Sequence, residues 1–172
     1  MTEIVVGWNP DGLMRLYDEL HGDLYGFALA VSRDGAAAED LVQESFLRLV
    51  REHRAGRAPN DARTWLFRVC TNLLRSRFRR RLVADRHRNL LSSDDVGENP
   101  EAAALRSESG VSLRNALAGL PAEARMALML TAEGFTGPEV ARIIGRSDGA
   151  TRTLLWRVRA ELRRTLGGEI ER

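Results

Sequence analysis

Apolar side chains recur along this chain at intervals of three and four, and strict alternation is nearly absent. That period belongs to helices packed by one face, not to strands. Asn9 and Pro10 read as an N-cap and first helical position. Behind them Leu13, Leu16, Tyr17, Leu20, Leu24, Phe27, Ala28 and Val31 fall on one face, until Asp34 and Gly35 break the helix. A second helix from about Ala36 carries Leu41, Val42, Phe46, Leu49 and Val50. Glycine, proline and asparagine then punctuate His53 to Asp61. A third helix begins near Ala62, turns Leu66, Val69, Cys70 and Leu73 inward, and runs out through Arg75 to Arg81.

The pattern then lapses. Leu91 to Ser109 is acidic and serine-containing, with little to bury apart from Ala102–Leu105. Shorter helical segments follow. Val111 to Leu120 stops at Pro121, which opens a helix carrying Met126, Met129 and Leu130. Thr136-Gly137-Pro138-Glu139 has the spacing of a capping box with proline in the first turn. Gly145 ends that helix, and Ser147 or Asp148 caps a last one reaching about Leu166. The expected fold is all-α: a helical domain over residues 9–83, an acidic linker over 84–110, and a second helical domain over 111–166. Each domain has roughly 55 to 75 residues, near the lower limit for independent stability. A flexible joint of this kind spans roughly 30 Å, which suits a protein touching two places on one long ligand.

Thr136 to Arg159 has the layout of a helix-turn-helix: a short capped helix, a glycine turn, a longer helix. Val140 and Ile144 point between the helices, and Ala141 is small enough for a close crossing. From Val140 to Arg164 seven arginines stand against Asp148 and Glu161. Such a surface fits DNA, with the start of the second helix in the major groove and flanking cations on phosphates. A plain helical hairpin with a solvated basic face would carry the same pattern. Trp156 reads as a core anchor rather than a base-stacking residue.

Composition adds charge and chemistry to this picture. The 172 residues include 26 basic ones, and every one is arginine. Five of the seven residues from Arg75 to Arg81 are arginine. So dense a block repels itself and is expected to meet an anion; a favourable helix-end dipole explains one or two of these cations, not five. Met1 to Trp8 lacks the layout of a secretory signal, and no apolar run reaches the roughly 20 residues of a membrane helix. A cytoplasmic protein without membrane insertion is expected. Cys70 is the single cysteine, so no internal disulfide forms and no metal site is built on several thiolates. His21, His53 and His87 are scattered, and no glycine-rich phosphate loop follows a strand. Neither catalysis nor a cofactor nor a metal is expected.

Two stretches of the first domain carry a family resemblance. Ala38-Glu39-Asp40-Leu41-Val42-Gln43-Glu44-Ser45-Phe46 resembles the polymerase-binding segment of region 2 in bacterial sigma factors. Thr64-Trp65-Leu66-Phe67-Arg68-Val69-Cys70-Thr71-Asn72, followed by Arg75 to Arg81, resembles the adjoining segment that recognises the promoter minus-ten element. The second domain is similar to region 4, with Leu120-Pro121 near its start. Two such domains without a helical one between them resemble the extracytoplasmic-function group, over roughly residues 10–166.

The resemblance implies a sigma factor that binds core RNA polymerase and directs promoter recognition and initiation. The competing reading is a free-standing helix-turn-helix regulator that acts without polymerase. By resemblance, Asp40, Gln43 and Glu44 dock on the polymerase, although an ordinary solvated helix face would look alike. The loop from His53 to Arg63 corresponds to one that captures a flipped base, whose unstacking costs a few kcal/mol. Arg63, Asn72, Arg75, Arg79, Arg80 and Arg81 meet minus-ten DNA, while Trp65 packs in the core. Arg146, Ser147, Arg152, Thr153 and Arg157 meet the minus-thirty-five element. The linker corresponds to the connection that threads through the polymerase, and an anti-sigma factor is an expected partner. The run Gly149-Ala150-Thr151-Arg152-Thr153-Leu154 departs from the family's usual Gly-Thr-Val followed by Lys/Arg-Ser-Arg, and the preceding turn reads Arg146-Ser147-Asp148 where an apolar residue is common.

Overall fold

The computed structural model describes residues 10–88 and 115–170. Among them every regular element is a helix: α1 (Pro10–Ser32), α2 (Gly35–Arg54), α3 (Ala62–Arg88), α4 over residues 115–118, α5 (Ala122–Ala132), α6 (Gly137–Ile144) and α7 (Asp148–Ile170). Helices α1–α3 form one unit and α4–α7 another. The all-α expectation is met. The cap at Asn9, the acidic stretch Leu91 to Ser109 and the start of the segment at Val111 lie outside the described residues.

The first core joins Leu16, Leu20, Leu24, Phe27 and Val31 of α1 to Leu41, Val42 and Leu49 of α2 and to Leu66, Phe67, Cys70 and Leu74 of α3, all buried. The rings of Phe27 and Phe67 lie 5.3 Å apart between centroids, tilted by 57°, a favourable edge-to-face arrangement. The α3 stripe corrects the sequence reading. Val69 and Leu73 are only half-buried, whereas Phe67 and Leu74 are fully enclosed. Helix α3 packs on both α1 and α2, so it needs a stripe wide enough for adjacent residues such as Leu66 and Phe67. Trp65 is half-buried.

The break between α1 and α2 is also sharper than the sequence suggested. Gly35 already belongs to α2, and the left-handed residue is Arg33, with φ 61°. Asp34 is extended, and its Oδ1 accepts the Ala37 N–H at 3.0 Å, capping α2. Asp61 caps α3 likewise, accepting the Thr64 N–H at 2.9 Å. At its other end α3 continues to Arg88, past residue 83.

The second core gathers Leu120, Ala124, Met126, Ala127 and Leu130 with Val140, Ala141, Ile144, Leu155 and Val158. Glu139 accepts both the backbone N–H of Thr136, at 2.7 Å, and its hydroxyl, at 2.6 Å, fixing the start of α6. Gly145 is left-handed (φ 63°) and returns its N–H to the Ala141 carbonyl, as a C-terminal glycine should. Arg125 is buried and donates from Nη2 to the Leu120 carbonyl at 2.9 Å, closing the turn before α5. Ser147 caps α7, its Oγ accepting the Ala150 N–H at 3.3 Å.

Trp156 corrects the core assignment: it is 66% exposed. Leu155 and Val158 are the α7 residues that fill the interior. Thr151 also points inward, and its Oγ1 is buried without a hydrogen-bond partner among the described residues. A buried hydroxyl left unpaired costs free energy that a methyl of the same shape does not. Thr151→Val is therefore expected to stabilise the second unit by about 1 kcal/mol. For so small a unit that is roughly 4–8 °C in its unfolding midpoint. Calorimetry of the variant checks this; a lowered midpoint would mean that the hydroxyl is satisfied in solution.

Candidate functional site

Two surfaces of the first unit collect the residues singled out by sequence. On α2, Asp40 and Gln43 are exposed and Glu44 is half-buried. Their spacing of three and four places them on one face. Gln43 donates from Nε2 to Glu39 at 3.2 Å. Glu44 accepts from Arg48 Nε at 2.8 Å and has Arg51 at 3.8 Å. The Arg48 hydrogen bond holds the Glu44 carboxyl below the usual carboxylate range, against some desolvation. Glu44 is thus already engaged along its own helix, leaving Asp40 and Gln43 more fully presented. The same face carries Leu47, 51% exposed, which the sequence reading missed. Its signal was there: it lies four residues beyond Gln43 and off the buried stripe of Leu41, Val42, Phe46 and Leu49.

Along α3, exposed Asn72 lines up with half-exposed Arg75 and exposed Arg79 at spacings of three and four. Exposed Arg68, four residues before Asn72, extends this row and was also overlooked. Arg79 donates to Ser76 Oγ at 3.3 Å, and Arg80 is exposed beside it. Arg63 sits at the start of the helix with its guanidinium over the Phe67 ring, 5.2 Å from the centroid. The arginine-dense end is not uniform, however. Arg77 and Arg81 turn to the opposite side and meet Asp34 Oδ2 at 3.4 and 3.3 Å. The structure thus brings Arg75 and Arg79 together with Asn72, and sets Arg81 apart from them.

Asp34 consequently has two tasks. One oxygen caps α2 and the other receives two guanidiniums. Its carboxyl is held below the ordinary range, first by the Ala37 N–H and then by the charges of Arg77 and Arg81, with desolvation opposing. Cys70 differs in kind. It is fully enclosed, and burial pushes its thiol up to about 12, against a smaller effect of Ser45. A thiol so protonated is a poor nucleophile near neutral pH.

In the second unit the exposed face of α7 carries Arg152, Thr153, Trp156 and Arg157. Thr153 returns its hydroxyl to the Gly149 carbonyl at 3.0 Å. Arg152 and Trp156 are one turn apart, so a cation and an indole share that face. Such a pair can hold a phosphate and contact the apolar edge of a base. Arg146 and Ser147 lie in the turn before α7. The Arg146 guanidinium is paired with Glu123 from the first turn of α5, and Ser147 is occupied as the helix cap. Arg152, Thr153 and Arg157 thus stand on the open face, while Arg146 and Ser147 brace its entrance.

Comparison with known proteins identifies the family. Sigma-70 region 2 is matched over residues 16–82 and sigma-70 region 4 over residues 110–162. The chain is 32% identical over 161 residues to ECF RNA polymerase sigma factor SigL of Mycobacterium tuberculosis, covering 90% of this chain and 89% of that protein. It is 31% identical over 175 residues to ECF RNA polymerase sigma factor BldN of Streptomyces coelicolor, covering 96% of this chain but only 64% of that protein. Of RfaY from Xanthomonas campestris, a probable RNA polymerase sigma factor, the chain spans 40%. Among solved structures, the sigma factor RpoE in complex with the anti-sigma factor NepR from Bartonella quintana superposes with a TM-score of 0.69 at 25% identity. That match covers 89% of this chain and 97% of RpoE. Two matched regions in their proper order, together with a relative spanned almost end to end, place the chain in the sigma-70 family, among the ECF RNA polymerase sigma factors.

Proposed function

We propose that this chain is a transcription initiation factor, without catalytic chemistry of its own, that docks on core RNA polymerase and directs it to promoters. The observation that carries the reading is the row Arg68–Asn72–Arg75–Arg79 on α3, a cationic track interrupted by one amide. Guanidiniums hold phosphates without regard to sequence, while an asparagine amide offers a donor and an acceptor to a base edge. Arg63 and Arg80 flank this track, and Arg81 joins it once it leaves Asp34. The loop over residues 55–61, within the stretch from His53 to Arg63, receives the flipped base of the minus-ten element.

On α2, Asp40, Gln43 and Glu44 are the polymerase contacts. On the second unit, Arg152, Thr153 and Arg157 read the minus-thirty-five element, with Trp156 among them and Arg146 and Ser147 at the entrance. The two domains comprise residues 9–83 and 111–166, and the connection between them, over 84–110, begins as the end of α3. The factor works in the cytoplasm. No helix among the described residues is long and apolar enough to cross a membrane. An anti-sigma factor holds it in reserve, as NepR is found bound to RpoE.

A free-standing regulator would have no use for a polymerase-docking unit, and the match to region 2 favours the sigma reading. Transcription from purified components tests it. Core polymerase with this chain is expected to start RNA at a defined position on a subset of genomic fragments from its source. Core alone should not. A shifted DNA band without polymerase, together with no initiation, would overturn the reading in favour of the regulator.

A further inference from the structure

Asp34 draws two of the five arginines between Arg75 and Arg81 onto one carboxylate oxygen, at 3.4 and 3.3 Å. Two guanidiniums converging on one oxyanion is also how an arginine pair grips a phosphate oxygen. Arg77 and Arg81 are both about one-third or more exposed, at 36% and 41%. Neither is sealed in the core, so exchange of the carboxylate for an outside anion requires only side-chain motion.

We propose that Asp34 is an internal phosphate substitute: it occupies Arg77 and Arg81 in the free protein and withholds them from nucleic acid, so that it sets how much of the α3 charge DNA can use. The inference rests on the reading that α3 meets DNA. Its physical consequence is restraint. A free factor with every α3 arginine available would bind any polyanion, because this term is independent of sequence. Pairing two of them internally lowers that background while Arg68, Asn72 and Arg79 remain exposed on the other side of the helix. When the unit is pressed against a promoter on the polymerase, backbone phosphate competes with the carboxylate at high local concentration, and Arg77 and Arg81 transfer to it.

Asp34→Asn separates this role from capping. Asparagine is as good an N-cap as aspartate, and its carbonyl can accept the Ala37 N–H while carrying no charge. Binding of the full chain to a mixed-sequence single-stranded oligonucleotide is measured across a salt series. Each phosphate newly neutralised steepens the log–log slope by roughly 0.7 on single strands. Asp34→Asn is expected to bind more tightly at low salt, with a slope steeper by up to about 1.4 for two arginines. Adding Arg77→Ala and Arg81→Ala to Asp34→Asn should return the slope to that of the wild type. Asp34→Ser, another good cap, should behave as Asp34→Asn does and guards against a folding effect of one substitution.

An unchanged slope in Asp34→Asn, while Arg79→Ala with Arg80→Ala flattens it, overturns the proposal and leaves the DNA surface standing. A steeper slope that persists in the triple variant also overturns it, since the gain would then be general charge. If Arg79→Ala with Arg80→Ala changes nothing, or the oligonucleotide binds neither wild type nor Asp34→Asn, the reading of α3 as a DNA surface fails with it.

Discussion

Replacing Phe67 with alanine is expected to cost the α1–α3 unit a large share of its stability, roughly 3–5 kcal/mol. Phe67 is fully buried and its ring meets Phe27. Removing such a ring from a close-packed core costs roughly 3–5 kcal/mol, through lost transfer free energy and a cavity that relaxes only in part. A unit of this size holds only about 4–11 kcal/mol in total at the usual stability per residue. The substitution therefore consumes about a quarter of the stability at best and all of it at worst. Hydrogen exchange on the full-length protein reads this out by element. Amides of α1–α3 should lose protection by roughly two to four powers of ten, at about 1.4 kcal/mol per tenfold. Those of α5–α7 should be unaffected. Protection retained across α1–α3 would mean that Phe67 is not the keystone its burial implies. Phe67→Leu, which keeps most of the volume, should cost far less.

That Phe67 is central was not apparent from the sequence. Helical period fixes spacing, not the angular origin of the face. Along α1 the expected stripe is found at Leu16, Leu20, Leu24, Phe27, Ala28 and Val31, while Leu13 and Tyr17 are only half-buried. Each helix of this unit packs on the other two, and along α3 adjacent apolar residues (Leu66 with Phe67, Val69 with Cys70, Leu73 with Leu74) leave the angle of the stripe open, so the spacing alone favours Val69 and Leu73 where Phe67 and Leu74 are enclosed. The helix-turn-helix was legible in detail because its signals are local. The Thr136–Glu139 cap and the Gly145 turn depend on neighbours in the chain, and both are found as expected. Trp156 went the other way: an isolated tryptophan suggested a core anchor, but smaller Leu155 and Val158 fill that interior.

The functional surfaces show the same division. Types and spacing located the candidate residues, but not their engagement. The pairing of Arg77 and Arg81 with Asp34, more than forty positions away by residue number, is a tertiary contact with no local signature. The pair of Arg146 with Glu123 is another. In both cases an arginine counted as free for DNA is held by a carboxylate from a different helix or turn. Leu47 and Arg68 have a simpler reason: residue type alone marks neither, and each completes its face only once exposure shows that it lies off the buried stripe.

The second large effect is expected at the α2 face. Asp40→Arg combined with Gln43→Ala should weaken binding to core polymerase by roughly 30-fold or more, the equivalent of about 2 kcal/mol for the loss of central interface contacts. Both side chains are exposed, and among the described residues the hydrogen bond given up is that of Gln43 to Glu39, so the helical unit itself should keep its unfolding midpoint within a degree or two. Glu44 is the poorer choice for this test, since its pairing with Arg48 and Arg51 mixes docking with helix stability. Leu47→Ala sharpens the result. An exposed leucine removed from a helix does little to folding, but at the centre of a polar ring it is the side chain best placed to exclude water from an interface. Competition of each variant against the wild type for a limiting amount of core, followed by the yield of promoter-directed RNA, measures the loss. RNA yield should fall with affinity and recover when the variant is added in excess, because docking and not promoter reading has been damaged. Undiminished competition by the Asp40→Arg, Gln43→Ala protein would show that the polymerase grips this factor elsewhere, and the exposed row on α2 would revert to an ordinary solvated helix face.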